Sequence, residues 1–147
     1  MQTSKATEYS LHAVRSQFNV KKITSITDTV EYIRQFYGSD IIIYESFFLL
    51  LLDRQNNTIG YAKISQGGIC GTVVDVKLIA KYIVDSLASS IIIAHNHPAG
   101  TLKPSEQDIQ MTKKIQSMVK LLDCQLLDHV ILTDSGHYSF ANEYYDF

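Results

Sequence analysis

The stretch from Ile91 to Ile109, IIIAHNHPAGTLKPSEQDI, gathers the residues of this chain whose types and spacing suit chemistry. His95 and His97 stand one residue apart at the end of an apolar run, in a chain with only five histidines. In extended backbone, residues two apart project to the same side, so both imidazoles can reach one ion while Asn96 points away. Pro98 stops the strand and fixes the exit of the chain. Asp108 falls in the first turn of the following helix, and a helix packed back on the sheet can swing that carboxylate toward the rings. Two imidazoles and a carboxylate form a catalytic zinc set with a fourth position left for water, whose pKa the metal lowers to about 7. That chemistry needs a group that takes the proton and hands it to a leaving group, and a carboxylate on a neighbouring strand serves.

Each of these residues also has a purely structural reading. Ser105-Glu106-Gln107-Asp108 is a good helix start, with Ser105 as N-cap and Asp108 favoured by the helix dipole. Glu45 is a lone charge between IIIY and SFFLLLL. It is either a strand-end carboxylate in solvent or, beside a metal set, a base. His129, inside LLDHVILTD, reads as a satisfied structural histidine of a buried strand rather than a third imidazole ligand, and neither His12 nor His137 suggests a role. The letters His95-Asn96-His97 spell HNH, but the nuclease of that name spreads its three residues over a hairpin and a helix.

The elements that must position these residues follow from periodicity. SITDTVEYIRQFYGSD predicts a helix capped by Thr27 or Asp28 and ended by Gly38. Phe47 to Leu52 is a continuous apolar strand, implying burial on both faces. Asp53 to Asn57 supplies a turn, TIGYAKIS returns as a strand, and Gly67, Gly68 and Gly71 form a loop. DVKLIAKYIVDSLAS predicts a helix with Val76, Ile79, Ala80, Ile83, Val84 and Leu87 on its apolar side. A short buried strand over Ser90 to Ala94 leads into the histidines. A helix over SEQDIQMTKKIQSMVKLL turns Ile109, Ile115, Met118, Val119 and Leu122 to the core. CQLLDHVILTD is a strand, SGH a turn and YSF a last strand. The aromatic tail of Phe140, Tyr144, Tyr145 and Phe147 reads as core edge or fraying terminus. Strands and helices alternate, which predicts an α/β domain whose sheet is covered by helices on both faces.

Composition bounds the partners. With 147 residues, 46% hydrophobic and 19% charged, the chain suits one domain with a proper core. Net charge is -2 and the basic residues are scattered, so bulk electrostatics do not support nucleic acid as the main partner, although they leave it open. Cys70 and Cys124 are far apart, without metal-ligand spacing, and read as free thiols of a reducing compartment. The first residues, MQTSKATEYS, lack the apolar segment of a signal peptide. The run from Phe47 to Leu52 falls far short of the ~20 residues a membrane helix needs. A cytoplasmic protein with no membrane association is the expectation.

His-x-His-Pro, six residues, Ser, two residues and Asp matches the JAMM signature of the JAB/MPN metalloproteases at every fixed position. The chain resembles the RadC-like branch more closely still, through ESFFLLLLDRQN, GGICGTVVDVKLI, SSIIIAHNHPAG, KPSEQDI, LLDHVILTD and YSF, in that order. The resemblance covers nearly everything from about Lys22. It implies an N-terminal arm over 1–22 and a RadC-like JAB/MPN domain over 23–147. The implied fold is a three-layer α-β-α architecture with a central mixed sheet, of the cytidine-deaminase-like type. It further implies zinc ligands His95, His97 and Asp108, a catalytic glutamate at Glu45 and a catalytic serine at Ser105. In such a site the glutamate deprotonates a zinc-bound water, the water attacks an amide carbonyl, and the serine hydroxyl steadies the oxyanion.

Ala99 departs from the serine usual in that loop, and Val76-Lys77 from the Pro-Arg often found in that branch; neither touches a mapped ligand. The helical hairpin domain that often precedes this domain does not fit within the first 22 residues. The expectation is a zinc-dependent amide hydrolase acting on a peptide or protein. The alternatives are a non-catalytic, DNA-repair-associated module and a hydrolase of non-peptide amides.

Overall fold

Seven consecutive residues, Ser46–Leu52, form strand β1 and are buried without a break. A strand apolar on both faces belongs in the middle of a sheet covered on both sides. The computed structural model, which describes residues 4–10, 12–67 and 73–147, places it there. Gly68 and Gly71 of the expected loop, and Cys70, lie outside the described residues.

The other strands are β2 (Thr58–Gln66), β3 (Ser90–Asn96), β4 (Gln125–Leu132) and β5 (His137–Ser139), in the order β2-β1-β3-β4-β5. β1 is antiparallel to β2 and β3, β3 is parallel to β4, and β4 is antiparallel to β5. The parallel pair needs a crossover, which helix α3 (Glu106–Lys120) supplies.

Side chains alternate across the sheet and build two cores. Phe47, Leu49, Leu51, Ile91 and Ile93 pack with Ile79 and Ile83 of helix α2 (Val76–Ser86) and with Ile115 and Val119 of α3. Leu50, Leu52, Ile92 and Ala94 pack on the opposite face with Val30 and Ile33 of helix α1 (Ile26–Arg34). Each of the large apolar side chains among them contributes about 1.5–3 kcal/mol when fully buried rather than exposed. The result is the three-layer α/β arrangement with a mixed sheet expected from the sequence.

Several boundaries differ from the sequence reading. Helix α1 is capped by Ser25, not Thr27 or Asp28. Asp28 instead closes the cap from inside, accepting the Thr24 N–H and hydroxyl. The helix ends at Arg34 rather than near Gly38, because the next residues turn inward. Phe36 stacks on Tyr61 at 4.3 Å, and the Tyr37 hydroxyl donates to the Ser46 carbonyl. A single 3₁₀ turn, Ser39–Ile42, follows.

In α2, Val84 and Leu87 are exposed rather than core. Leu87 caps the helix in the left-handed region (φ 55°), so that the chain can reverse into β3. β3 runs two residues further than expected and takes in His95 and Asn96. Phe140 is fully buried, but it opens a short helix, α4 (Phe140–Glu143), instead of ending a strand, because Ser139 caps that turn. Before α1, the described residues form no helix or strand beyond a bridge between Lys22 and Asn57. No helix among the described residues is long and apolar enough to cross a membrane.

Candidate metal centre

The C-terminal end of β3 meets the N-terminal end of α3, and the strand's pleat decides what faces the helix. His95 lies on the same face as Ile91 and Ile93, toward α2 and α3, and is only 1% exposed. The buried stripe of α3 reads Asp108, Thr112, Ile115, Val119. Its apolar half joins the core, and its polar half, Asp108 and Thr112, lies beside the histidines. Phe47 pairs with His95 across β1 and β3, so Glu45, two residues earlier, falls on the histidine face of β1.

The side chains converge. His95 Nε2 lies 3.3 Å from Asp108 Oδ1, His97 Nε2 lies 3.2 Å from Asp108 Oδ2, and the two Nε2 atoms are 3.0 Å apart. Glu45 stands further back, with Oε1 3.8 Å from His95 Nε2. One donor atom from each of Glu45, His95, His97 and Asp108 falls within 4.8 Å of the others. His97 Nδ1 sits 2.6 Å from the Thr101 carbonyl, which can only accept, so the ring donates there and aims Nε2 at the cluster. Two ring nitrogens and a carboxylate packed this closely are stable only around a cation, whether a proton or a metal ion. The donor set therefore fits a divalent metal ion.

Electrostatics agree with that reading. Burial opposes charge on Asp108, but the His95 and His97 rings and the Ser105 N–H outweigh it and hold the carboxyl well below its ordinary range. Burial also lowers the affinity of His97 for a proton, yet Asp108 and the Thr101 carbonyl leave its pKa raised overall. For Glu45, burial pushes the pKa up, against the opposing pull of His95 and His97.

The structural and chemical readings of the helix start prove compatible. Ser105 accepts the Asp108 N–H, and Asp108 Oδ2 accepts the Ser105 N–H at 2.8 Å, a capping box. The same Oδ2 faces His97. Capping thus holds the carboxylate against the His95 and His97 rings. Ser105 itself is exposed, at the margin of the cluster.

Asn96, between the histidines, points to the other face, as expected, and does specific work there. Its Oδ1 accepts the Ser46 N–H, while its Nδ2 donates to the Ile41 and Tyr44 carbonyls, all at 2.7 Å. The segment carrying Glu45 is thereby fastened to the strand carrying the histidines. From the far side, the Gly67 N–H donates to the Glu45 carbonyl.

Glu45, His95, His97 and Asp108 are brought together, with Ser105 beside them as a cap. His12, which contacts Ser10, and exposed His137 stay outside the cluster. His129 is no member of the metal-capable group, but its Nε2 lies 2.7 Å from His95 Nδ1, and its Nδ1 lies 2.6 Å from Thr112 Oγ1. Burial keeps this ring well below its ordinary pKa, hence neutral. His129 is the satisfied histidine of a buried strand that the sequence suggests; what sequence reasoning missed is which groups Asn96, His129 and Thr112 touch. Thr112 carried a signal, standing one helical turn after Asp108 on the stripe that continues as Ile115 and Val119.

Comparison with known proteins agrees with the geometry. The model of the RadC-like JAB domain matches residues 23–145. A UPF0758 protein of Flavobacterium johnsoniae is 42% identical over 124 residues, covering 84% of this chain and 53% of that protein. Another, from Porphyromonas gingivalis, is 48% identical over 100 residues, covering 67% of this chain and 44% of its own length. A third, from Coprothermobacter proteolyticus, is 38% identical over 124 residues, covering 83% of this chain and 53% of that protein. The chain spans about half the length of these curated relatives. With the matched region running from the first core residue of the domain, Ile23, almost to the C-terminus, the chain belongs to the RadC-like JAB domain family.

Proposed function

We propose that this chain is a zinc-dependent amide-bond hydrolase acting on peptide or isopeptide bonds of a protein substrate in the cytoplasm. The observation that carries the reading is the split within the cluster. His95, His97 and Asp108 are in mutual contact at 3.0–3.3 Å, and Glu45 is set back at 3.8 Å. Three donors of the N₂O type with an open fourth position suit catalytic zinc, whereas four closed ligands suit a structural site. When bound by His95, His97 and Asp108, zinc supplies Lewis acidity toward the substrate carbonyl and the attacking water.

The chain's own residues account for the proton transfers. Glu45 is half-buried, and burial raises its pKa above the ordinary carboxylate value, which suits a carboxylate that must both accept and return a proton. It takes one proton from water as the oxygen bonds to the amide carbon. It gives that proton to the nitrogen as the C–N bond breaks. The Ser105 oxygen uses a lone pair in the cap, which leaves its hydrogen to donate to the developing oxyanion. Asn96 and Gly67 keep Glu45 in place.

Zinc-loaded wild type should cleave peptide or isopeptide substrates, and Glu45→Gln should lower the rate by about 10²–10⁴-fold with zinc content and melting temperature unchanged. Wild-type activity retained in Glu45→Gln would overturn the assignment. Membership of the RadC-like JAB domain family leaves a second reading, a non-catalytic or DNA-repair-associated binding module. Metal-independent retardation of duplex DNA, with no hydrolysis, would favour that reading.

A further inference from the structure

The hydrogen-bond chain behind His95 has a direction, and a backbone carbonyl sets it. Thr112 Oγ1 lies 2.7 Å from the Asp108 carbonyl oxygen and 2.6 Å from His129 Nδ1. His129 Nε2 lies 2.7 Å from His95 Nδ1. The carbonyl can only accept, and a threonine hydroxyl has one hydrogen to give. Spending that hydrogen on His129 would leave two oxygens facing each other at 2.7 Å with none between them. The hydroxyl therefore donates to Asp108 and its oxygen accepts from His129; that ring is fully buried and bonded to no carboxylate, so it carries a single proton, on Nδ1. Nε2 of His129 is then a bare lone pair, and it can be satisfied only by a proton on Nδ1 of His95. Whenever His95 is neutral, its own Nε2 is therefore the unprotonated nitrogen, the atom that faces Asp108 and His97.

We propose that Thr112 and His129 are positioning residues that fix the tautomer of His95, presenting its Nε2 lone pair to the metal before any ion arrives. This rests on the metal-centre reading above and adds to it how the site is preset. His97 is preset separately, by the Thr101 carbonyl. The relay is rigid. His129 is fully buried, and its ring stacks on Phe140 at 4.7 Å with the planes 7° apart. The helix that supplies Asp108 as a ligand also supplies, through the carbonyl of the same residue, the acceptor that orients the proton chain. Partners behind a metal-bound histidine commonly set its tautomer and basicity, and losing one typically costs about 10- to 100-fold in metal affinity.

The tautomer can be read directly in metal-free, ¹⁵N-histidine-labelled protein from long-range ¹H–¹⁵N correlations at mildly alkaline pH. The expected spectrum of the wild type shows His95 protonated on Nδ1. Thr112→Val keeps the side-chain shape but removes the hydroxyl. It should release His129 to either tautomer, bring His95 into a mixture, and weaken zinc binding about 10- to 100-fold in competition with a chromophoric chelator. Thr112→Ser should restore both. A wild-type His95 that carries its single proton on Nε2 overturns the proposal, as does a folded Thr112→Val variant with unchanged tautomer and zinc affinity. If Thr112→Val fails to fold, the wild-type spectrum and Thr112→Ser decide. The two readings fail separately. Nδ1-protonated His95 in a protein that takes up no zinc leaves the relay standing and removes the metal centre; zinc uptake with the opposite tautomer does the reverse.

Discussion

At the scale of single residues, Asp108 joins two jobs that the sequence offered as rivals. Its carboxylate is the inner half of a capping box and also the acid facing two imidazoles. The half of the box that orients the carboxylate runs through the Ser105 backbone N–H, not the Ser105 hydroxyl. The two residues should therefore separate on mutation. Ser105→Ala removes the side-chain cap and should cost about 1 kcal/mol in urea unfolding, with zinc content unchanged. Asp108→Asn keeps an oxygen for the cap but gives up the charge that holds the site together, and should fail to retain stoichiometric zinc in metal analysis. Loss of zinc from Ser105→Ala would show that the hydroxyl, not the backbone, orients the acid.

At the scale of elements, the site is the junction of three segments, and Asn96 decides whether the third is in register. β3 and α3 bring His95, His97 and Asp108 together by strand pleat and helix capping. Glu45 precedes β1, and the residues around it, Ile41, Tyr44 and Ser46, are held by three hydrogen bonds with one buried amide, that of Asn96. Asn96→Ala would leave two carbonyls and an N–H unpaired, at about 1–3 kcal/mol for each group that water does not reach. The expected outcome is a protein that still binds one zinc but turns over about 10²-fold more slowly, since Glu45 loses its alignment. Unchanged turnover would remove Asn96 from the account.

The sequence showed the histidine pair, the acid and the buried strand, because pleat, capping and apolar runs are local properties. It did not show what Asn96, His129 and Thr112 touch, because those contacts depend on which strands become neighbours. The parallel pairing of β3 with β4, which puts Ile93 opposite His129, joins residues separated by a whole helix. The ends of α1 and α2 depart from the periodicity of their sequences for a related reason. Phe36, Tyr37 and Leu87 obey the packing and chain reversals around them rather than helical periodicity.

At the scale of the molecule, the sheet order places the site at one end of the central strand β3 and its neighbour β1, with a helix layer on either side. Arg34 ties the two far parts of the chain together, donating from α1 to the carbonyls of Thr133 and Gly136 beyond β4. A frame closed in this way can hold three donors and a set-back acid at fixed separation, which is what a hydrolytic metal centre requires. The most direct measurement is an anomalous-difference crystal structure of the zinc-soaked protein. One peak bonded to His95 Nε2, His97 Nε2 and an Asp108 oxygen, with Glu45 facing the fourth position but not filling it, is the predicted result. No peak at this junction, or a peak closed by Glu45 as a fourth protein ligand, would contradict the account.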